Sequence, residues 1–275
     1  MSTYLARILA FAFLVQFLGG MQSSGAVFNG TSRASTGDSS NAFSGGTNNG
    51  LTVSCWFKMS IPSSVTLSKD MVILSNRQNS TAGGNFAFEI KFNINTGNLE
   101  FQARGASALL TAQTLISQPF LERWYLVAVT REGDTFVGFL DGRQVFSTTQ
   151  AIGAATNTNG ITIGNTTDDA KLYSEVIEVA VYRRKLDGFE ITPLIFAEQP
   201  VADADLRGYY KLRKSAVAAD QLRNFAATPP AGTDPLTANG TVNFEDANQA
   251  GEQSTFDSHR NGGRDATVPL SGAFS

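Results

Sequence analysis

Cys55 and His259 are the only cysteine and the only histidine in 275 residues. A disulfide needs a second thiol, a Cys/His zinc site needs several ligands, and a Ser-His-Asp relay needs an imidazole in the fold. None of these chemistries is therefore open to this chain. Carboxylate pairs are the next place to look, because two of them flanking a glycosidic bond can hydrolyse it. Glu175 and Glu178 stand three residues apart, and on a regular strand that spacing aims them at opposite faces. Glu89 and Glu100 could approach across a hairpin, where both read as solvated members of a polar face. Two other groups could bind rather than react. Asn165, Asp168 and Asp169 place oxygen ligands in a short acidic loop, and the rings of Trp56, Tyr125 and Tyr173 could stack on a ligand if strand parity turns them outward.

The elements that must position these residues are strands. Trp124 to Phe146, WYLVAVTREGDTFVGFLDGRQVF, reads as three short strands joined by turns around Gly133-Asp134 and Asp141-Gly142. In Leu51 to Phe57, the residues Leu51, Val53, Cys55 and Phe57 share one face, so Cys55 reads as a small buried hydrophobe. Met71 to Ser75 is a further strand. Asn85 to Ile94 alternates with Phe86, Phe88, Ile90, Phe92 and Ile94 on one side, and a turn at Asn95 to Asn98 returns it as Leu99 to Arg104. Ile161 to Asn165 and Leu172 to Tyr182 complete the strand set, while Arg33 to Gly50 reads as a long surface loop. Leu186 to Ile191 predicts one helical turn capped by Asp187, with Leu186, Phe189 and Ile191 reaching back to the sheet.

Many strands between Gly/Asn/Asp turns, with scarcely any helical periodicity, predict an all-β, two-sheet antiparallel sandwich. Hydrophobic residues at 42%, including 20 Phe, are enough to fill the space between two sheets. A net charge of -3 and a pI near 5.3 give nucleic acid no basic stripe to bind, so no nucleic-acid partner is expected. Residues 1–25 read as a signal peptide: Arg7, an apolar run Ile8 to Leu18, then small residues at Ser24 and Ala26. The run is too short for a spanning helix of roughly 20 residues, so export without stable membrane insertion is expected. Residues 26–196 would form the sandwich. Residues 197–275 would be a linker and loop-rich extension, with one strand at Leu206 to Leu212 and a polar remainder lacking a core of its own.

Four pieces in order resemble the concanavalin A-like, laminin-G-type jelly roll. They are Ala26 to Gly30 as entry strand; Leu51 to Lys58 with its central Trp56; Trp124 to Gly142 with its Trp, Gly-Asp turn and Asp-Gly turn; and Ile163 through Tyr182 to Ile191 as closing strand and terminal turn. The resemblance implies a jelly roll over residues 26–196 and a non-catalytic binding or adhesion module. Its partner would be a glycan, through Trp56, Tyr125 and Tyr173, or a cell-surface protein. It also implies calcium at the rim, for which Asn165, Asp168 and Asp169 are the local candidates, although Ile177 stands where the family usually has the Asp of an Asp-Glu pair. The Glu-x-Asp-x-x-Glu pattern of the superfamily's glucanases is absent, which leaves a degenerate glycosidase as the weakest alternative and a structural spacer as the stronger one. Asn248 to Phe274 resembles the stretch that precedes the repeats of bacterial YD-repeat surface proteins, which implies a place on the cell surface or in the secreted fraction.

Overall fold

A computed structural model describes residues 25–37, 42–45, 47–77, 84–155, 159–164, 171–195, 200 and 203–244. The expected signal peptide and the stretch from Asn248 to Phe274 lie outside these residues. Two antiparallel sheets make up the sandwich. The first is built from β1 (Ala26–Asn29), β3 (Leu51–Met59), β8 (Trp124–Glu132), β9 (Thr135–Leu140), β10 (Arg143–Thr149), β12 (Tyr173–Tyr182), β13 (Leu206–Tyr210) and β15 (Asn243–Phe244). Its order is β10-β9-β8-β3-β12-β1-β15, with β13 beside β12 where β1 has ended. The second is built from β2 (Arg33–Gly37), β4 (Met71–Ser75), β5 (Phe86–Asn93), β6 (Asn98–Arg104), β7 (Gln113–Ser117), β11 (Asn159–Gly164) and β14 (Thr237–Asn239), in the order β14-β2-β11-β4-β5-β6-β7.

The meander forms where its turn residues place it. Asp141 and Gly142 take φ of 49° and 75°, the left-handed pair that a two-residue hairpin requires. The inner faces meet in one core containing Leu51, Val53, Cys55 and Phe57 from β3, Val127 and Val129 from β8, and Phe88 and Ile90 from β5. Phe101 of the second sheet meets Phe136 of the first at 6.2 Å between ring centroids. A bulge between Phe86 and Glu89 breaks the expected alternation. It takes Phe86 out of the inner set, and the Arg77 guanidinium lies over its ring at 5.2 Å.

The region expected as a loop-rich extension adds strands to both sheets. β13 pairs with β12, β14 with β2, and β15 with β1. The chain passes from the second sheet to the first through Gly240, just as β2 and β1 are joined around Gly30 and Thr31. The two corners run antiparallel and in contact: a Cβ on Gly240 would stand 2.7 Å from the Thr31 carbonyl oxygen, so only glycine fits. Arg33 to Gly37, expected as loop, is strand β2 because its partners β11 and β14 lie far away in sequence.

Candidate binding face

Each sheet has one face turned away from the core, and these two faces differ. On the first sheet, Trp56, Trp124, Leu126, Ile177, Ala180 and Tyr182 form a second apolar cluster with Leu186, Ile191, Leu194 and Ile195 from the segment after β12 and with Leu206, Tyr209 and Ala226 from the extension. Trp56 and Trp124 are each 1% exposed. The helical turn α1 (Gly188–Ile191) begins at a capping box: the Asp187 carboxylate accepts from the Glu190 N–H, and Glu190 accepts from the Asp187 N–H. Leu186 and Ile191 reach the sheet as expected, whereas Phe189 is 90% exposed, because a single turn cannot place all three side chains on one face. Among Ser54, Trp56, Leu126, Glu178, Ala180, Leu194, Pro200 and Tyr209 there is a cavity of about 20 Å³, room for a water and far too small for a sugar ring.

Glu178 corrects the parity argument. A bulge in β12 between Ile177 and Ala180, with Glu178 at φ 54°, returns its side chain to the outer side shared with Glu175. Both carboxylates are engaged. Glu175 meets the Lys58 ammonium at 2.5 Å, while Glu178 accepts from the Tyr209 hydroxyl at 2.5 Å and faces Arg213 at 2.8 Å.

The outer face of the second sheet is polar. β5 and β6 bring Glu89 opposite Gln102, and Lys91 opposite Glu100, with Arg104 next along β6. Arg77, just past β4, places a guanidinium nitrogen 3.5 Å from Glu89. Lys91 pairs with Asp70 at 2.7 Å, and Glu100 accepts from Asn93 and Thr96 at 2.9 Å each. Glu89 and Glu100, expected as solvated, are 2% and 5% exposed and form the floor of this face, while Lys91, Gln102 and Arg104 are half-buried above it. Burial pushes the Glu89 carboxyl up, and Arg77 and Lys91 only partly oppose that rise. The face offers donors and acceptors held in fixed positions, with one aromatic ring, Phe86, under a guanidinium.

The expected ligand-stacking aromatics are not brought together. Trp56 lies in the covered cluster on the first sheet. Tyr125 lies in the core, stacked on Phe57 at 5.7 Å, and its hydroxyl accepts from the Phe120 N–H at 3.0 Å. Tyr173 is half-buried at the corner, its ring held against Gly30. Neither Trp56 nor Tyr125 presents a ring face to solvent. Asn165, Asp168 and Asp169 lie outside the described residues, and among the described residues no group of three His, Cys, Asp or Glu side chains could hold a metal ion. Sequence reasoning found the polar side of the β5–β6 hairpin by alternation. It missed Arg77 and Phe86, because a bulge and a neighbouring strand carry them there.

A family model described as the concanavalin A-like lectin/glucanases superfamily, laminin G type, matches residues 28–192, more than half of the chain. The chain belongs to that family. Its fold is that superfamily's lectin-type sandwich. No curated protein matches in sequence. Among solved structures, a candidate carbohydrate-binding protein from Bacteroides ovatus superposes with a TM-score of 0.58 at 15% identity, over 82% of this chain and 60% of that one. A heptameric SAP-like pentraxin from Limulus polyphemus aligns over 82% of this chain and 95% of its own at 14% identity, with a TM-score of 0.47. The binding domain of Paraclostridial Mosquitocidal Protein 1 aligns over 56% of this chain and 37% of its own, at 15% identity and a TM-score of 0.40. At such identities the likeness is one of fold. The chain spans less than two thirds of the Bacteroides protein's length.

Proposed function

We propose that this is a carbohydrate-binding module of an exported protein, and that it takes its ligand on the outer face of the second sheet. One observation carries the reading: over its central strands β3, β8 and β12 the corresponding face of the first sheet is covered by Leu186 to Ile195 and by the extension, which leaves the polar face of the second sheet as the sheet centre able to bind. Sugars are recognised by planar amide, guanidinium and carboxylate groups that pair with hydroxyls in fixed directions, and Gln102, Arg104, Lys91, Glu89 and Arg77 supply that set. The family supports the reading at the level of a lectin-type fold. Export rests on the N-terminal apolar run, and among the described residues no helix is long and apolar enough to cross a membrane. The likeness of Asn248 to Phe274 to YD-repeat proteins would set the module on a larger surface protein.

A glycan array is the test. Binding to at least one glycan class is expected, and Gln102→Ala or Arg104→Ala should weaken it by roughly tenfold, the loss of about one hydrogen bond to a charged or amide group. An array with no binder overturns the carbohydrate reading and favours a spacer or a protein partner on the cell surface. Calcium at Asn165, Asp168 and Asp169 is a separate proposal resting on sequence. It requires the melting temperature to rise at millimolar calcium, and an unchanged melting curve removes it.

A further inference from the structure

Lys58 and Glu175 stand directly opposite each other on the central strands β3 and β12 of the first sheet. Their side chains are 3% and 6% exposed, and the ammonium nitrogen lies 2.5 Å from a carboxylate oxygen. The pair is packed under a ring and a backbone segment. The Trp124 ring centroid is 5.6 Å from Nζ, and the backbone of Gly25 covers the pair so closely that a Cβ there would touch Ile177 Cγ2, Trp124 Cη2 and Glu175 Cβ. The strands are locked in this register by the Ser174 hydroxyl, which donates to the Lys58 carbonyl at 2.7 Å. A third group completes the cluster: Glu122 Oε2 is 3.9 Å from Nζ, accepts from the Ser60 hydroxyl at 3.0 Å, and is 60% exposed.

Two opposite charges this far withdrawn from water are costly to keep, and transfer of one proton from ammonium to carboxylate removes both charges. What remains is a primary amine against a carboxylic acid, immobile and pre-aligned, the situation in which effective molarities reach roughly 10⁵ M or more. We propose that Lys58 and Glu175 condense into an amide that ties β3 to β12. The Lys58 Nζ lone pair attacks Glu175 Cδ and the C–N bond forms. Glu122 takes the proton released by nitrogen and delivers it to the departing hydroxyl, the C–O bond breaks, and one water leaves past the exposed side of Glu122. Glu122 ends in the state in which it began, and nothing is oxidised or reduced. Glu122 is thus the general base and acid of a single-turnover reaction, a role separate from the carbohydrate reading.

Mass spectrometry of the purified chain decides the matter. The expected result is a tryptic peptide pair joined through Lys58 and Glu175, lighter by one water than the two separate peptides. Recovery of Lys58 and Glu175 in separate, unmodified peptides overturns the proposal, and this measurement does not depend on any variant folding. Lys58→Arg keeps the positive charge but lacks the amine and should show no joined pair, whereas Glu175→Gln should join with loss of ammonia instead of water. Glu122→Gln should slow joining by about a hundredfold in a time course after synthesis. An unchanged rate would remove Glu122 from the chemistry.

Discussion

At the scale of single residues, two positions give direct tests. Cys55 is fully enclosed in the core, and burial pushes its thiol up to about 12, so almost no thiolate exists at neutral pH. Native protein should therefore not react with a thiol reagent over hours, and should react with one equivalent once unfolded; rapid labelling of the native chain would mean that β3 is not where it is described. Gly142 takes φ 75°, and a Cβ there would stand 2.4 Å from Ile195 Cδ1. Gly142→Ala combines left-handed strain with a clash against the segment that covers the first sheet. In a denaturant titration it should cost about 1–2 kcal/mol more than an alanine at half-buried Gly133, whose φ of 58° brings the same left-handed strain but where nothing stands within 4 Å of the Cβ site. The Asp141-Gly142 dipeptide was legible because its φ requirement is local. Glu178 was not, because the bulge that turns it outward depends on how β12 meets β3 and β13, and strand parity fails wherever a bulge intervenes.

At the scale of elements, Arg184 joins three of them. Its guanidinium grips Glu190 of α1 with contacts of 2.7 and 3.0 Å and reaches Asp203, ahead of β13, at 2.5 Å, while the Arg183 N–H donates to the Asp205 carbonyl. Hydrogen bonding from Arg184 pulls the Glu190 carboxyl below its ordinary value. Burial pushes Asp203 up, but the Asp205 N–H and Arg184 more than reverse it, so its net shift is also downward. A carboxyl with a depressed folded pKa adds stability above its unfolded value, and loses it as pH falls through the folded one. The grip should thus hold at neutral pH and release below about pH 4. Glu89 works in the opposite direction, since its raised pKa removes stability as pH rises through the carboxylate range and beyond. Comparing melting temperatures of the parent and Arg184→Ala across pH 3 to 7 (roughly the range where carboxyls titrate) separates the two. The difference should be a few degrees at pH 7, equivalent to about 1 kcal/mol, and shrink towards zero at the acid end. A difference independent of pH would mean that Arg184 acts only through packing. The cap at Asp187 was readable from local sequence, but Asp203 as a partner was not, since only the folded chain places it beside Arg184.

At the scale of the molecule, the main surprise was coverage. Alternation in β3 correctly assigned Leu51, Val53, Cys55 and Phe57 to the core and left Trp56 looking outward. On β8 the ring offered to a ligand, Tyr125, lies on the core side, and Trp124 is the one that faces out. Both tryptophans face outward from the sandwich, yet Leu194, Ile195, Leu206 and Tyr209 lie over them, and residues so distant in sequence leave no periodic signal in β3 or β8. Both tryptophans of the chain lie under this cover, which makes it visible by fluorescence. Deleting residues 203–244 should shift tryptophan emission to the red and lower the melting temperature by several degrees, because a broad apolar face is exposed. In the intact chain, limited proteolysis should spare residues 203–244 as long as it spares the sandwich; early cleavage between β13 and β15 would contradict their pairing with both sheets.

The antiparallel corners carry one more consequence. Ala26 lies opposite Phe244, so the first and last strands of the sandwich are neighbours on one edge. The two ends of the sandwich thus lie side by side, so that a tether at either end holds it like a pendant instead of as a link in series. A pull applied between Ala26 and Phe244 would bypass the core and peel β15 from β1. Such a mounting yields at low force at its attachment, while the polar face, on the other sheet, keeps its shape.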